Sequence, residues 1–223
     1  MNSKLFLSAI AKFALGVILI GALLFLPAGT VHYPQGWLLM AILFIPMFIA
    51  GLVMMARNPN LLRSRLNARE KEQEQSLVVK LSGLMFLVGF ILAGLSHRFG
   101  WLMQPRWVSI LGAVLFLMSY ALYAEVLREN TWLSRTIEVQ EGQQVVSTGL
   151  YGIVRHPMYA VTLALFLSMP LVLGSALAFV VFLAYPFIIV RRIRNEEEVL
   201  ARELAGYPEY MQKVRWRLLP FIW

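Results

Sequence analysis

"MYAVTLALFLSMPLVLGSALAFVVFLAYPFIIV", residues 158–190, is a run of 33 residues without one charged side chain. A helix crosses a bilayer in about 20 apolar residues, so the run is too long for one span and short for two. Gly174 and Ser175, following Pro170, punctuate its middle. Two arms of about 16 residues would result, each reaching about 24 Å at 1.5 Å per residue. The expectation is a tight helical hairpin of two short or partly embedded helices. Shorter charge-free runs precede it at residues 37–56, 81–96 and 107–124, and residues 5–26 carry Lys12 alone. Each is the length of a single span.

Composition supports the same class. Of 223 residues, 59% are hydrophobic and 14% charged, more apolar surface than one water-soluble core of this length would bury. The expected fold is an all-α integral membrane protein. It has four spans, a C-terminal two-helix membrane hairpin (about six membrane helices) and a cytoplasmic C-terminal helical segment. The first run exceeds the usual core of a secretory signal and reads as an uncleaved span.

Lys and Arg collect in cytoplasmic loops. Residues 57–80 hold Arg57, Arg63, Arg65, Arg69, Lys71 and Lys80; the segment after Val190 holds Arg191, Arg192, Arg194, Arg202, Lys213, Arg215 and Arg217. Residues 27–36 have none, and residues 97–106 have only Arg98 and Arg106. Six crossings would then put both termini in the cytoplasm. The net charge of +8 is spread along span flanks rather than in one stripe, so contact with anionic membrane lipids, not nucleic acid, accounts for it.

Absences narrow the chemistry. All 12 acidic residues are Glu, which removes Asp-dependent diphosphate and aspartyl chemistry. Zero Cys excludes thiol chemistry and disulfides. His32, His97 and His156 are far apart, with no paired ligand spacing, so no metal is expected. No GxSxG, GxGxxG or Walker loop occurs.

Polar residues gather just before the long run, in "TGLYGIVRHPMY", residues 148–159. Pro157 suits the first turn of a helix. The amides and positive dipole end there, with Arg155, would hold a carboxylate. Tyr159 falls on the face near His156, and Tyr151 lies upstream; either ring could stack on a flat ligand. A hairpin leaving at Met158 and returning at Val190 would bring Glu196, Glu197 and Glu198 back to this cluster. The site would then offer poles of both signs, as a zwitterionic amino-acid cofactor requires. Taken singly, each residue reads as an interface anchor or as a member of a solvated charged helix. His32 and His97 receive no role, and Pro46, Pro170 and Pro186 read as kinks within spans.

The combination of "TGLYGIVRHPMY", a hydrophobic stretch and "RIRNEEEVLARELAGYPEYMQKVRWRLLP", residues 192–220, resembles the isoprenylcysteine carboxyl methyltransferase family, especially its bacterial members. It is similar, more loosely, to phospholipid N-methyltransferases. The "NPNLLRSRL" of residues 58–66 is also similar to a loop of bacterial relatives. The resemblance implies S-adenosylmethionine as cofactor, bound between the hairpin and the C-terminal segment. It assigns cofactor binding to Gly149, Tyr151, Arg155, His156, Pro157, Tyr159, Glu196, Tyr207 and Tyr210. Leu150 stands where the family turn has Pro, and Phe221 where Gly is common. Arg194 and Glu197 are the catalytic candidates, Arg194 orienting an acceptor carboxylate and Glu197 fixing that Arg or the cofactor amine, or acting as base toward an amine acceptor.

The implied reaction is methyl ester formation on a lipid-like or isoprenoid-linked carboxylate, with a lipophilic or lipidated substrate entering from the membrane. A phospholipid amine N-methyltransferase is the alternative. A non-catalytic carrier or sensor is a third reading, weakened by the lack of mid-span charges other than Lys12. The implied organisation is residues 1–128 for spans and basic loop and 129–223 for the cofactor-binding half. The implied location is the bacterial inner membrane.

Overall fold

In the computed structural model, residues 3–66, 73–133 and 139–223 are described. Among them the chain forms α1 (Ser3–Ala28), α2 (Pro34–Arg57), α3 (Pro59–Leu66), α4 (Gln73–Phe99), α5 (Arg106–Glu129), α6 (Pro157–Val172), α7 (Ala176–Phe182), α8 (Tyr185–Glu203) and α9 (Tyr207–Lys213). A single 3-10 turn, Gly149–Gly152, precedes α6. Arg69 and Lys71 of the basic loop lie outside the described residues. Among the described residues, five helical stretches are long and apolar enough to cross a membrane: Leu5–Ala28, Pro34–Arg57, Ser76–Phe99, Arg106–Glu129 and Ala176–Glu203. The chain is an integral membrane protein. Leu15, Ile18, Trp107 and Phe187 are among many large apolar side chains left on the outside, as a bundle solvated by lipid tails permits.

The hairpin forms, and it turns where the sequence reading placed it. Its first arm, α6, has 16 residues. Gly174 then takes φ 68°, a left-handed conformation that costs glycine nothing. Ser175 caps α7, its side chain accepting the Ala178 amide at 3.1 Å. The second arm differs from the expectation. It breaks between Phe182 and Tyr185 and restarts as α8. Pro186 occupies the first turn of that new helix, where its missing N–H leaves no bond unmade, so it starts a helix rather than kinking one. Pro46 and Pro170 do lie inside α2 and α6.

The tip of the hairpin is seated among the other turns. Gln104 donates its amide to Gly174 O at 2.8 Å, and Ala176 donates to Leu102 O at 3.2 Å. The buried Tyr33 hydroxyl donates to Leu173 O at 3.1 Å, and Ser175 Oγ to Ser96 Oγ at 2.9 Å. The α6–α7 turn therefore lies at the same end of the bundle as the start of α2, the end of α4 and the start of α5. Gly112 makes the α5–α6 approach possible: a Cβ there would sit 2.7 Å from the Val172 backbone nitrogen. Phe90, Phe116 and Phe182 fill the core between these helices.

The opposite end carries α3, the charged end of α8, α9 and the C-terminal segment. Lys12, the one charge in the first span, reaches that end and donates to Leu66 O, at the close of α3, at 2.7 Å. A cation there complements the carbonyl end of the helix dipole.

Candidate functional site

Helix α8 has two working faces. Tyr185, Ile189, Ile193 and Glu197 recur every four residues and are all buried, so the core-facing stripe of the apolar part runs on into a carboxylate. Arg192, Glu196 and Leu200 share the next face, at the same spacing, and line a cavity. The buried carboxylate is fully answered. Glu197 Oε1 accepts from Arg155 Nε at 2.7 Å and lies 3.2 Å from His156 Nε2; Oε2 accepts from Arg217 Nε at 2.7 Å. Arg155 spends its Nη1 on the carbonyls of Val214 at 2.9 Å and of Met211 and Arg215 at 3.3 Å.

This corrects part of the sequence reading. Arg155, expected to hold an anion together with the amides that open α6, is committed to Glu197 and to C-terminal carbonyls, and its own backbone amide and that of His156 donate to Trp216 O and Arg217 O, both at 2.9 Å. Together with the Glu197 cluster they clasp the C-terminal segment to the start of α6. Such a knot suits positioning. Glu197, under three donors, does not line the cavity, and its lone pairs are committed, so a role as base toward substrate has no geometric support. Arg194 is exposed and absent from the cavity wall; Arg192, one turn from Glu196, is there instead.

The cavity opens beside this knot, with about 90 Å³ accessible to the centres of water-sized molecules. Tyr151, Arg155, His156, Tyr159, Glu196, Tyr207 and Tyr210, to which the resemblance assigned cofactor binding, all line it; so do Leu200 and Asn130, Trp132, Leu133, Gln143, Val145 and Arg192, which received no such role. Pro157 is buried at the first turn of α6, and Gly149 lies in the 3-10 turn below Tyr151. Tyr159 is the centre of a polar chain: its hydroxyl donates to Glu196 Oε2 and accepts from Arg192 Nε at 2.9 Å. The Arg192 guanidinium also stands 5.8 Å from the Tyr159 ring centre. Tyr210 donates to Tyr151 O at 2.7 Å. The hydroxyls of Tyr151 and Tyr207 are buried with no hydrogen-bond partner among the described residues. Burial raises both phenols, and for Tyr207 the Glu196 and Glu197 carboxylates add to it. They stay protonated and offer donors to whatever fills the space.

Apolar bundle, hairpin and polar cavity at its charged end thus form one arrangement, and the sequence pattern across them has known counterparts. Residues 108–202 match the model of the isoprenylcysteine carboxyl methyltransferase (ICMT) family. The ICMT match runs from the start of α5 through most of α8, and so includes the hairpin and the Arg192–Glu196 face. The structure of a eukaryotic intramembrane Ras methyltransferase ICMT superposes on 92% of this chain and 74% of that one, with a TM-score of 0.57 and 19% identity. At that identity the likeness is one of fold. The Delta(14)-sterol reductase TM7SF2 of Mus musculus is 31% identical over 91 residues, 40% of this chain and 22% of that protein. The chain therefore spans about a fifth of that relative's length. Among the described residues no group of three or more potential ligands could hold a metal ion.

The Arg192 signal was present in the sequence: a cation four residues before Glu196 shares its helix face. The aromatic and amide residues between α5 and the 3-10 turn carried no comparable spacing.

Proposed function

We propose that this protein is a membrane methyltransferase that uses S-adenosylmethionine and esterifies a carboxylate on a lipid-like or isoprenoid-linked acceptor. One observation carries the reading: a cavity at the polar end of an apolar bundle that combines Arg192, Glu196 and two buried, unpartnered phenols. The cofactor's chemical supply is a methyl group on a sulfonium. Glu196 is the counter-charge for the cofactor's ammonium or sulfonium, and Tyr151 and Tyr207 are its hydrogen-bond donors. Arg192 takes the place first given to Arg194, orienting an acceptor carboxylate, and through the Tyr159 hydroxyl it also sets Glu196 toward the cofactor. The Glu197 knot holds α6, α8 and the C-terminal segment so that these groups converge.

The committed lone pairs of Glu197 favour the carboxylate acceptor. An ionised carboxylate needs no base, whereas a protonated amine does, and Glu196 is already bound by the Tyr159 hydroxyl. Both chain ends, on this reading, face the cytoplasm of a bacterial inner membrane, so the soluble cofactor enters from the cytoplasm and the lipophilic acceptor from the bilayer.

The sterol reductase relative supports a second reading, reduction of a sterol-like lipid by a hydride donor bound in the same cavity. Calorimetric titration of the detergent-purified protein separates the two. S-adenosylhomocysteine should bind the wild type and bind Glu196→Gln and Arg192→Ala weakly. No binding to the wild type, with binding of a reduced nicotinamide dinucleotide instead, favours the reductase. Incubation with methyl-labelled donor and a lipid extract then distinguishes base-labile ester product from amine product.

A further inference from the structure

The 3-10 turn Gly149–Gly152 carries Tyr151 into the cavity, yet little inside the turn itself fixes it. Its inner bonds are Tyr151 N to Thr148 O at 3.0 Å and the amides of Ile153 and Val154 to Leu150 O, both at 3.1 Å. The amide of Leu150 points the other way. It donates to both oxygens of the Glu129 carboxylate, at 2.9 and 3.2 Å. Glu129 is the final residue of α5, 21 positions away in sequence. Its carboxylate lies directly over Gly149, where a Cβ would fall 1.4 Å from Oε1 and where φ is +52°. The positive φ favours glycine at 149, and a Cβ there would push the carboxylate off the turn.

The last turn of α5 grips the same segment a second way. Val126, three residues earlier on the helix, is completely buried against Tyr151 and Val161. Arg128 turns toward Glu125, at 2.6 Å. On its far side, the Tyr151 carbonyl is held by Tyr210 Oη at 2.7 Å. The Tyr151 backbone is thus fixed between α5 and α9, with its phenol directed into the cavity.

We propose that Glu129 is a positioning residue of the ligand site, a carboxylate clamp that holds the Leu150 amide and so sets where Tyr151 presents its hydroxyl. It acts on bound ligand only through the turn. The clamp needs an N–H at position 150, which is the reason a proline is not interchangeable with Leu150 in this chain. Its effect on ligand affinity rests on the methyltransferase reading; the clamp itself does not.

The experiment uses the full chain in detergent with Glu129→Ala, Glu129→Gln, Leu150→Pro and the Glu129→Ala/Leu150→Pro pair. Two quantities are read: amide exchange by mass spectrometry across the peptide containing Leu150, and S-adenosylhomocysteine affinity by calorimetry. Glu129→Ala should speed exchange at that turn about 10-fold while leaving α4 amides unchanged, and weaken binding about 10-fold. Glu129→Gln, which keeps a carbonyl acceptor, should recover most of both. Leu150→Pro should weaken binding about as much as Glu129→Ala, and the pair should be no worse than either alone. Unchanged exchange in Glu129→Ala, a Gln variant no better than Ala, or losses that multiply in the pair would each overturn the clamp. If wild type binds no S-adenosylhomocysteine, the methyltransferase reading fails and the exchange arm decides the clamp by itself. If Glu129→Ala does not fold, the Gln and Leu150→Pro variants carry the comparison.

Discussion

Glu196 and Glu197 are adjacent, identical in type and differently employed, because successive helical residues point about 100° apart. Glu197 is 4% exposed and neutralised by Arg155 and Arg217, with His156 Nε2 3.2 Å from its Oε1. Removing it strands two guanidinium groups, and breaking a buried pair from one side costs about 3–5 kcal/mol. Glu197→Ala should therefore lower the unfolding free energy in detergent by that order, measured by denaturant titration. Glu196→Gln should do the reverse: leave the unfolding free energy within about 0.5 kcal/mol of wild type and remove most S-adenosylhomocysteine binding. Arg192→Ala should resemble Glu196→Gln, whereas Arg194→Ala, on an exposed face, should leave binding unchanged. Equal loss of binding in Arg192→Ala and Arg194→Ala would return Arg194 to the site. The residue types at this site were legible in the sequence. The division of labour among them was not, since Arg155 and Glu197 are as consistent with a ligand pole as with a buried knot until burial and partners are known.

At the level of elements, the hairpin was legible because its punctuation is chemical: a charge-free run, a Gly, a capping Ser. The break between α7 and α8 was not, because one Pro in an apolar run reads alike as a kink or as a first turn. Gly174 offers the sharpest check on the turn. An alanine there must adopt φ near +68° and meets Ser109 Oγ at 3.2 Å, so Gly174→Ala should destabilise by roughly 1–2 kcal/mol. Gly51, inside α2 with nothing within 4 Å of its virtual Cβ, gives the control. Gly51→Ala should be neutral or stabilising by about 0.5–1 kcal/mol. Thermal unfolding in one detergent compares the two, and equal shifts would count against a left-handed conformation at 174.

For the whole molecule, the decisive relation is that three turns distant in sequence meet at one end of the bundle. Tyr33 and Gln104 both bond to the α6–α7 turn, so α6, at 16 residues, covers the depth of its longer neighbours with the help of that docked turn. Hydropathy alone could not show this, since length leaves open whether a short arm crosses or stops within the bilayer. On the proposed reading, the distribution of Lys and Arg adds a direction: the end holding α9 and the cavity would face the cytoplasm, and the docked turns would face away. A chain without cysteine makes the test clean. Trp101, exposed beside the docked turn, and Glu141, exposed on the segment that borders the cavity, are suitable positions. Expressed in a bacterial inner membrane, Trp101→Cys should react with an impermeant maleimide in intact spheroplasts, and Glu141→Cys only after the membrane is opened. Labelling of both before opening would put Glu141 on the same outer side as the hairpin tip and overturn the placing of the cavity at the cytoplasmic face, where a soluble methyl donor could reach it.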